Sequence, residues 1–372
     1  MRKVERCIVA CLVCLAIVLI ISDAQGQNNA AGTISWRRCL SQSSEFYATD
    51  EAVRIADNVL LYQRDTGGWS KNVEMARVLS EQDKAMLRKA KGRKDSTFDN
   101  GATHTQIRYL AKVYNATGIK RIRGAALSGI DYLLEAQYDN GGWPQSYPSK
   151  GYSRYITFND GAMVGVMSVL RDIAWKKPEY AFVDERRRQK AHNAVKKGLE
   201  CILKCQIVVD GKKTAWCAQH DEKTLVPRKA RSYELPSISG SESVGIVRFL
   251  MSIEEPGPEI IEAVRNAVGW FHEAGLDGIR QVRKQDKSKP GGWDNIVVND
   301  ASARTIWARF YEIGTNKPIF CSRDGLPKAT LAEISHERRT GYSWLGYYAT
   351  SLLAKDYPAW QKKWAQEINV TR

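Results

Sequence analysis

Four tryptophans recur along the 372 residues at nearly one interval: Trp69, Trp143, Trp216 and Trp293, with gaps of 74, 73 and 77 residues. Three of them close the same word, Gly67-Gly68-Trp69, Gly141-Gly142-Trp143 and Gly291-Gly292-Trp293. A glutamine precedes each, at Gln63, Gln137, Gln206 and Gln281. A fixed period with a repeated word indicates a repeated structural unit. The sequence between the tryptophans has helical spacing. Ala52, Ile55, Ala56, Val59 and Leu60 form one apolar stripe, and Ile107, Leu110, Ala111 and Tyr114 form another. Ser80 followed by Asp83 reads as a helix start between them. Each unit is therefore predicted as helix, glycine-rich loop with Trp, variable insert and second helix. Helix pairs that cannot bury their own faces must stack. About four pairs without evident polar end caps predict an all-α fold, an α/α toroid with long functional loops. The competing reading treats Gly-Gly-Trp as ordinary turn chemistry plus a core tryptophan.

The second helix of each unit opens in a related way: Phe98-Asp99-Asn100-Gly101-Ala102, Phe158-Asn159-Asp160-Gly161-Ala162 and, later, Val298-Asn299-Asp300-Ala301. The third unit has Ser239-Gly240-Ser241-Glu242-Ser243 instead. Asp, Asn and Ser are good helix N-caps, and capping accounts for any one of these words alone. Equivalent helix starts gather at one end of a repeat, however, so Asp99 and Asp160 could face each other. Two carboxylates with the neutral amide of Asn100 would offer oxygen to a hard cation such as Ca²⁺. Both readings stand on pattern.

The N-terminus carries Arg2, Lys3 and Arg6, then an apolar run of 15 residues from Cys7 to Ile21, then Ala24-Gln25-Gly26. That run is short for a membrane span of about 20 residues. It predicts a cleavable signal peptide over 1–26 and a secreted or periplasmic protein. Residues 27–34 read as a polar lead-in, and 35–372 as one catalytic domain with no Pro- or Ser-rich linker. Five cysteines lie outside the leader: Cys39, Cys201, Cys205, Cys217 and Cys321. An odd count leaves at least one thiol unpaired. Neither Cys nor His spacing suggests zinc.

The net charge is +15, of which the leader carries +1. An exported chain this basic implies an anionic partner. Export and the lack of a nucleic-acid-binding motif point away from nucleic acid. Three loop segments place cations beside aromatic rings: Gly68-Trp69-Ser70-Lys71-Asn72, Trp216 to Ser237 with His220, Arg231 and Tyr233, and Trp307 to Gly325 with Arg309 and Arg323. Each could be surface salt-bridge material. Together they suit an anionic sugar, because Arg and Lys bind carboxylates while aromatic rings pack on pyranose faces.

At these residues the chain resembles the family 10 polysaccharide lyases, secreted bacterial pectate lyases with an α/α toroid fold. The resemblance runs from about Ala52 to Tyr348. It is strongest at Gly67 to Asn72, at Thr97 to Thr103, at Gly141-Gly142-Trp143-Pro144-Gln145, at Trp216 to Asp221 and at Ala230 to Glu234. Ser70 stands where the family usually has Pro. The resemblance implies Ca²⁺-dependent anti β-elimination on polygalacturonate. It places calcium ligands on Asp99 and Asp160, with Asn100 adjacent, and the Brønsted base on Arg231. It also places substrate-carboxylate arginines on Arg309 and Arg323, with Lys71 as a weaker carry-over. Arg228 or Lys229 could displace Arg231, and His220 is the rival base by its reference pKa of about 6.5. A monomer acting on a soluble polyanion is expected.

Other classes are separable. A uronide hydrolase would use Asp99 and Asp160 as an acid–base pair without metal. A polyuronate-binding protein would use the same charges for capture alone. The chain contains no Asp-Asp pair to hold a diphosphate through Mg²⁺, which disfavours terpene chemistry.

Overall fold

The computed structural model describes residues 34–364. The signal segment and nearly all of the lead-in lie outside these residues. The described chain is built on two rows of helices. The first row holds α1 (Asp50–Tyr62), α4 (Lys120–Glu135), α6 (Glu185–Cys205) and α8 (Pro258–Glu273). The second holds α3 (His104–Thr117), α5 (Ala162–Ala174) and α7 (Glu242–Met251), each packed against its successor in the first row. A short α2 (Glu81–Lys89) sits in the first insert, and its Ser80/Asp83 capping box forms as expected. The stripe of Ala52, Ile55, Ala56 and Val59 is buried, as are Ile107, Leu110 and Ala111.

The repeated word is the fastening of the first row. The indole N–H of Trp69 donates to Val59 O on α1, that of Trp143 to Leu133 O on α4, and that of Trp216 to Ile202 O on α6, each at 2.8 Å. The paired glutamine reaches one helix onward. Gln63 Nε2 donates to Ala125 O (2.9 Å), Gln137 to Ala194 O (2.9 Å) and Gln206 to Ala263 O (2.9 Å). Gly141 has φ of +92°, and a Cβ there would lie 2.1 Å from Lys197 O on α6. No side chain fits where the loop meets the next helix.

The fourth copy of the word does something else, and here the all-α expectation fails. After α8 the described chain is largely strands and loops. β6 (Ile279–Gln285) and β7 (Trp293–Asn299) form an antiparallel hairpin, with Gly291 and Gly292 at its tip. Trp293 is half-exposed, and Val298-Asn299 ends a strand rather than opening a helix. Gln281 lies within β6. The true fourth member is Trp307, buried, whose indole N–H donates to Phe271 O on α8 at 2.9 Å. The physical reason is local. Ile296-Val297-Val298 is a β-branched run, and two adjacent positive-φ glycines suit a hairpin turn.

Short ladders lace the loops of neighbouring units together. β1 (Ile156–Thr157) pairs with β4 (Gln219–His220), β5 (Ile238–Ser239) with β9 (Phe310–Tyr311), and β8 (Trp307–Ala308) with β12 (Leu345–Gly346). Two local hairpins, β2 (Val208–Val209) with β3 (Lys212–Lys213) and β10 (Phe320–Cys321) with β11 (Pro327–Lys328), complete a mixed helix-and-strand architecture. A small α9 (His336–Thr340) lies against β7, and α10 (Tyr357–Trp364) ends the described chain. The five cysteines among the described residues are all free and buried.

Candidate active site

The helix starts of the second row converge as the repeat requires. Thr97 N donates to Trp69 O, Thr157 N to Trp143 O and Ser239 N to Trp216 O, at 2.9, 3.0 and 2.7 Å. Counting from these anchors, Asp99, Asn159 and Ser241 share one position, and Asn100, Asp160 and Glu242 share the next. Asn100 and Asp160 both have φ of +50°, the left-handed region that Asn and Asp tolerate best among non-glycine residues. Neither Asp99 nor Asp160 caps a helix. The capping explanation therefore does not account for them.

Asp99 is buried, and its Oδ2 is paired with the Lys71 ammonium. Its Oδ1 is buried with no hydrogen-bond partner. Asp160 accepts from Asn159 Nδ2 at 2.6 Å and, weakly, from Arg309 Nη2 at 3.5 Å. Burial raises the Asp160 pKa, Arg309 opposes the shift and the Asp99 carboxylate adds to it. Two carboxylates thus crowd one place, one with an unsatisfied oxygen. That donor set suits a hard cation. It is incomplete, because Ca²⁺ takes about six to eight oxygens. Among the described residues no three His, Cys, Asp or Glu side chains are placed to hold a metal ion together. Asn100 turns its amide to Asn72 Oδ1 (2.9 Å), so its side chain is engaged elsewhere in this state.

A small cavity of ≈ 80 Å³ joins Lys71, Asp99, Asn100 and Asp160 to Arg231, with Glu234, Gln145, Gln219 and Tyr152 in its wall. Arg231 is clamped by Glu234. Its backbone N–H and Nε donate to Oε2 at 3.1 and 2.9 Å, and Nη2 donates to Oε1. The Tyr342 hydroxyl donates to the same carboxylate at 2.8 Å. The Glu234 bonds raise the Arg231 pKa further above its ordinary value. Burial pushes Glu234 up, but Arg231 outweighs it and the carboxyl lies below its usual range. Arg231 is a cation in the free protein.

Arg309 is buried beneath Asp160. Nη2 donates to Glu242 Oε1 at 2.6 Å and to Asn159 Oδ1 at 3.3 Å. Burial, with Asp160 nearby, raises the Glu242 pKa to about 7. Glu242 and Glu234 were not assigned from sequence. Glu242 occupies the repeat position of Asp160, and Glu234 stands three residues after Arg231. Those spacings were the available signals.

Three assigned residues lie elsewhere. His220 is fully buried. Nδ1 meets Leu225 O at 2.8 Å and Nε2 accepts from Cys217 N at 3.1 Å. Burial lowers its pKa to about 4. Both nitrogens are committed to backbone, so it is placed neither as a base nor as a substrate contact. Tyr233 is also buried, with Arg338, Arg231 and Arg323 at 4.5, 5.1 and 5.8 Å from its ring centre. It orders arginines and offers no open face to a sugar. Arg323 is exposed, bound to Glu337 at 2.8 Å, and is not part of the cavity wall.

The family model described as pectic acid lyase matches residues 63–353. A family 10 polysaccharide lyase from Cellvibrio cellulosa is 37% identical, with a TM-score of 0.72, over 85% of this chain and 92% of that one. A point mutant of the Cellvibrio cellulosa lyase in complex with trigalacturonic acid is likewise 37% identical, with a TM-score of 0.73, over 85% of this chain and 93% of that one. A comparison with curated protein sequences gives no match. The resemblance read from Gly67 to Asn72 and from Thr97 to Thr103 is borne out, and this chain is a polysaccharide lyase belonging to the pectic acid lyase family.

Proposed function

We propose that the protein is an exported, calcium-dependent pectate lyase that cleaves polygalacturonate by anti β-elimination. The observation that carries this reading is the single cavity holding Asp99 with its unsatisfied Oδ1, Asp160 and the Arg231 guanidinium. The trigalacturonic acid in the related complex supports the substrate class. Asp99 and Asp160 would hold Ca²⁺, whose remaining positions suit substrate carboxylate and water. When bound, the ion would stabilise the enolate-like charge that develops when C5 loses its proton.

The chain's own groups do the rest. Lys71 balances Asp99 in the free protein and, half-exposed in the cavity wall, would turn to an arriving carboxylate. Arg309, fixed by Glu242, adds a buried positive charge under Asp160. Arg231 takes the C5 proton. The C5–H bond breaks, its electron pair forms the C4–C5 double bond, and the 4-oxygen leaves with the pair of the C4–O bond. Arg231 is able to accept a proton only as neutral guanidine, and the Glu234 pair favours the cation. The pair must therefore open, and the reaction is favoured at alkaline pH.

The test is ultraviolet absorbance of unsaturated product from polygalacturonate, with and without chelator. Calcium-restorable production of absorbing product supports the reading. Cleavage without absorbing product would identify a hydrolase, and binding without cleavage a capture protein. Turnover unchanged in excess chelator would remove the metal.

A further inference from the structure

The β6–β7 hairpin divides its charges along its length. At the base they are neutralised, Arg280 pairing with Asp300 at 2.7 Å; nearer the tip, Asp294 stands opposite Lys284 but is held by Arg339 of α9 at 2.6 Å. At the tip the charges are not neutralised. Arg283, Lys284, Lys287 and Lys289 make no ion pair among the described residues. The acid between them, Asp286, accepts from the Ser288 N–H at 2.9 Å and hydroxyl at 2.6 Å, and Lys289 and Lys284 act on it only through space. Arg283 lies 3.8 Å from the Trp293 ring centre, which gives the tip a guanidinium–indole face. Elsewhere arginines repeatedly find carboxylates, whereas here four cations without an ion pair stand beside one acid and leave positive charge in excess at the tip.

The hairpin is fixed to the site. His336 Nε2 lies 2.8 Å from Trp293 O, and Asn295 Nδ2 donates to Arg339 O at 2.9 Å, both contacts joining α9 to β7. The same helix carries Arg338, 4.5 Å from the centre of the Tyr233 ring, which lies beside Arg231 at 5.1 Å. One short helix thus connects the basic tip to the ordered arginines at the cavity.

We propose that the hairpin tip is an accessory binding site for acidic polysaccharide, gripping a second stretch of the polyuronate chain remote from the scissile bond. The inference rests on the pectate lyase reading for its ligand. Its chemistry is charge complementarity: a repeating carboxylate polymer meets four screened cations and an aromatic face. Linked contacts on one polymer multiply, so long chains benefit and short ones do not.

The experiment combines Arg283→Gln, Lys284→Gln, Lys287→Gln and Lys289→Gln in the full mature chain. These side chains are exposed or half-exposed, and an unchanged Tm verifies the fold. Should the combined variant misfold, Lys287→Gln with Lys289→Gln gives the same readouts. Retardation in native gels containing polygalacturonate measures binding without turnover, and KM on polymer and on trigalacturonate measures use. The expected result is a polymer affinity lower by roughly 3- to 10-fold and a matching rise in polymer KM, as fits a few screened surface contacts. KM on trigalacturonate should stay within about twofold, because contacts beyond the span of a short oligomer cannot multiply. Unaltered polymer affinity overturns the proposal, as does an equal loss on both substrates. So does loss of binding to anionic vesicles with polymer binding intact. Wild-type retardation without elimination would leave the hairpin site standing while the proposed activity failed.

Discussion

Arg231 and Glu234 form a bidentate pair, with Glu234 buried and Arg231 half-exposed. If Arg231 is the base, as proposed, it should be controlled by this partner. Glu234→Gln removes the charge that favours guanidinium, so the acidic limb of kcat/KM should move to lower pH. A limb that stays in place while activity falls would make Glu234 purely structural. Arg231→Ala should cost roughly 10²–10⁴ in kcat, the span of a lost general base. Affinity for trigalacturonate should fall only modestly. Arg231→Lys should also be poor, since its ammonium cannot occupy the guanidinium position. A loss of binding equal to the loss of rate would make Arg231 a carboxylate clamp. Asp99→Ala and Asp160→Asn should each lower kcat roughly 100-fold or more, with Tm little changed because neither side chain caps a helix. Asn is chosen at 160 to keep a residue that tolerates φ of +50°. His220 contributes to stability rather than rate. Its folded pKa, about 4, lies below its ordinary 6.5. The native state therefore binds fewer protons, and the His220 contribution is present above pH 6.5 and lost as pH falls toward 4. Tm followed from pH 7 to 4 should fall for wild type, and less steeply for His220→Gln.

At the scale of elements, the same three-letter word has two physical meanings, and glycine substitutions distinguish them. In Gly141-Gly142-Trp143 the first glycine touches Lys197 O on α6, and an added Cβ would lie 2.1 Å away. In Gly291-Gly292-Trp293 the second glycine has φ of +74°, and an added Cβ there would meet nothing within 4 Å. Gly292→Ala should cost only the left-handed strain, about 1–2 kcal/mol. Gly141→Ala adds a backbone clash and should cost severalfold more in chemical denaturation. The glutamine stitch permits a parallel test. Gln206 Nε2 serves both Thr214 O and Ala263 O at 2.9 Å. Gln206→Ala should lower stability by about 1–3 kcal/mol, the cost of buried groups left unpaired. Turnover well below Tm should be retained, because the stitch lies on the first row of helices and the cavity on the second.

Over the whole molecule, charge governs encounter. With +15 on 372 residues, polyanion capture should be steered electrostatically and screened by salt. At fixed calcium, kcat/KM on polygalacturonate should fall by roughly 10-fold or more from low to physiological ionic strength. Trigalacturonate should show a weaker dependence. The leader read from Arg2 to Gly26 predicts export and a mature chain beginning at Gln27, which N-terminal sequencing of the processed protein would verify.

Sequence alone determined whatever a local pattern encodes. Period and glutamine spacing fixed the helical units through Trp216, because each unit repeats one set of backbone bonds. The repeat-equivalent words around Asp99 and Asp160 brought those two carboxylates together, because such loops must fall at one end of stacked helices, whereas Arg231 was legible only through the family resemblance. Tertiary structure decided what depends on partners distant in the chain. It turned the fourth Gly-Gly-Trp into a hairpin tip and passed its buried role to Trp307, since β-branched neighbours and an exposed turn outweighed the word. It buried His220 and Tyr233, whose reference pKa and aromatic face read as functional only while their surroundings were unknown. It set Glu242 on Arg309 across 67 residues and Tyr342 on Glu234 across 108. Hydrogen bonds over such separations arise where loops of different units meet, and no single window of sequence contains both ends.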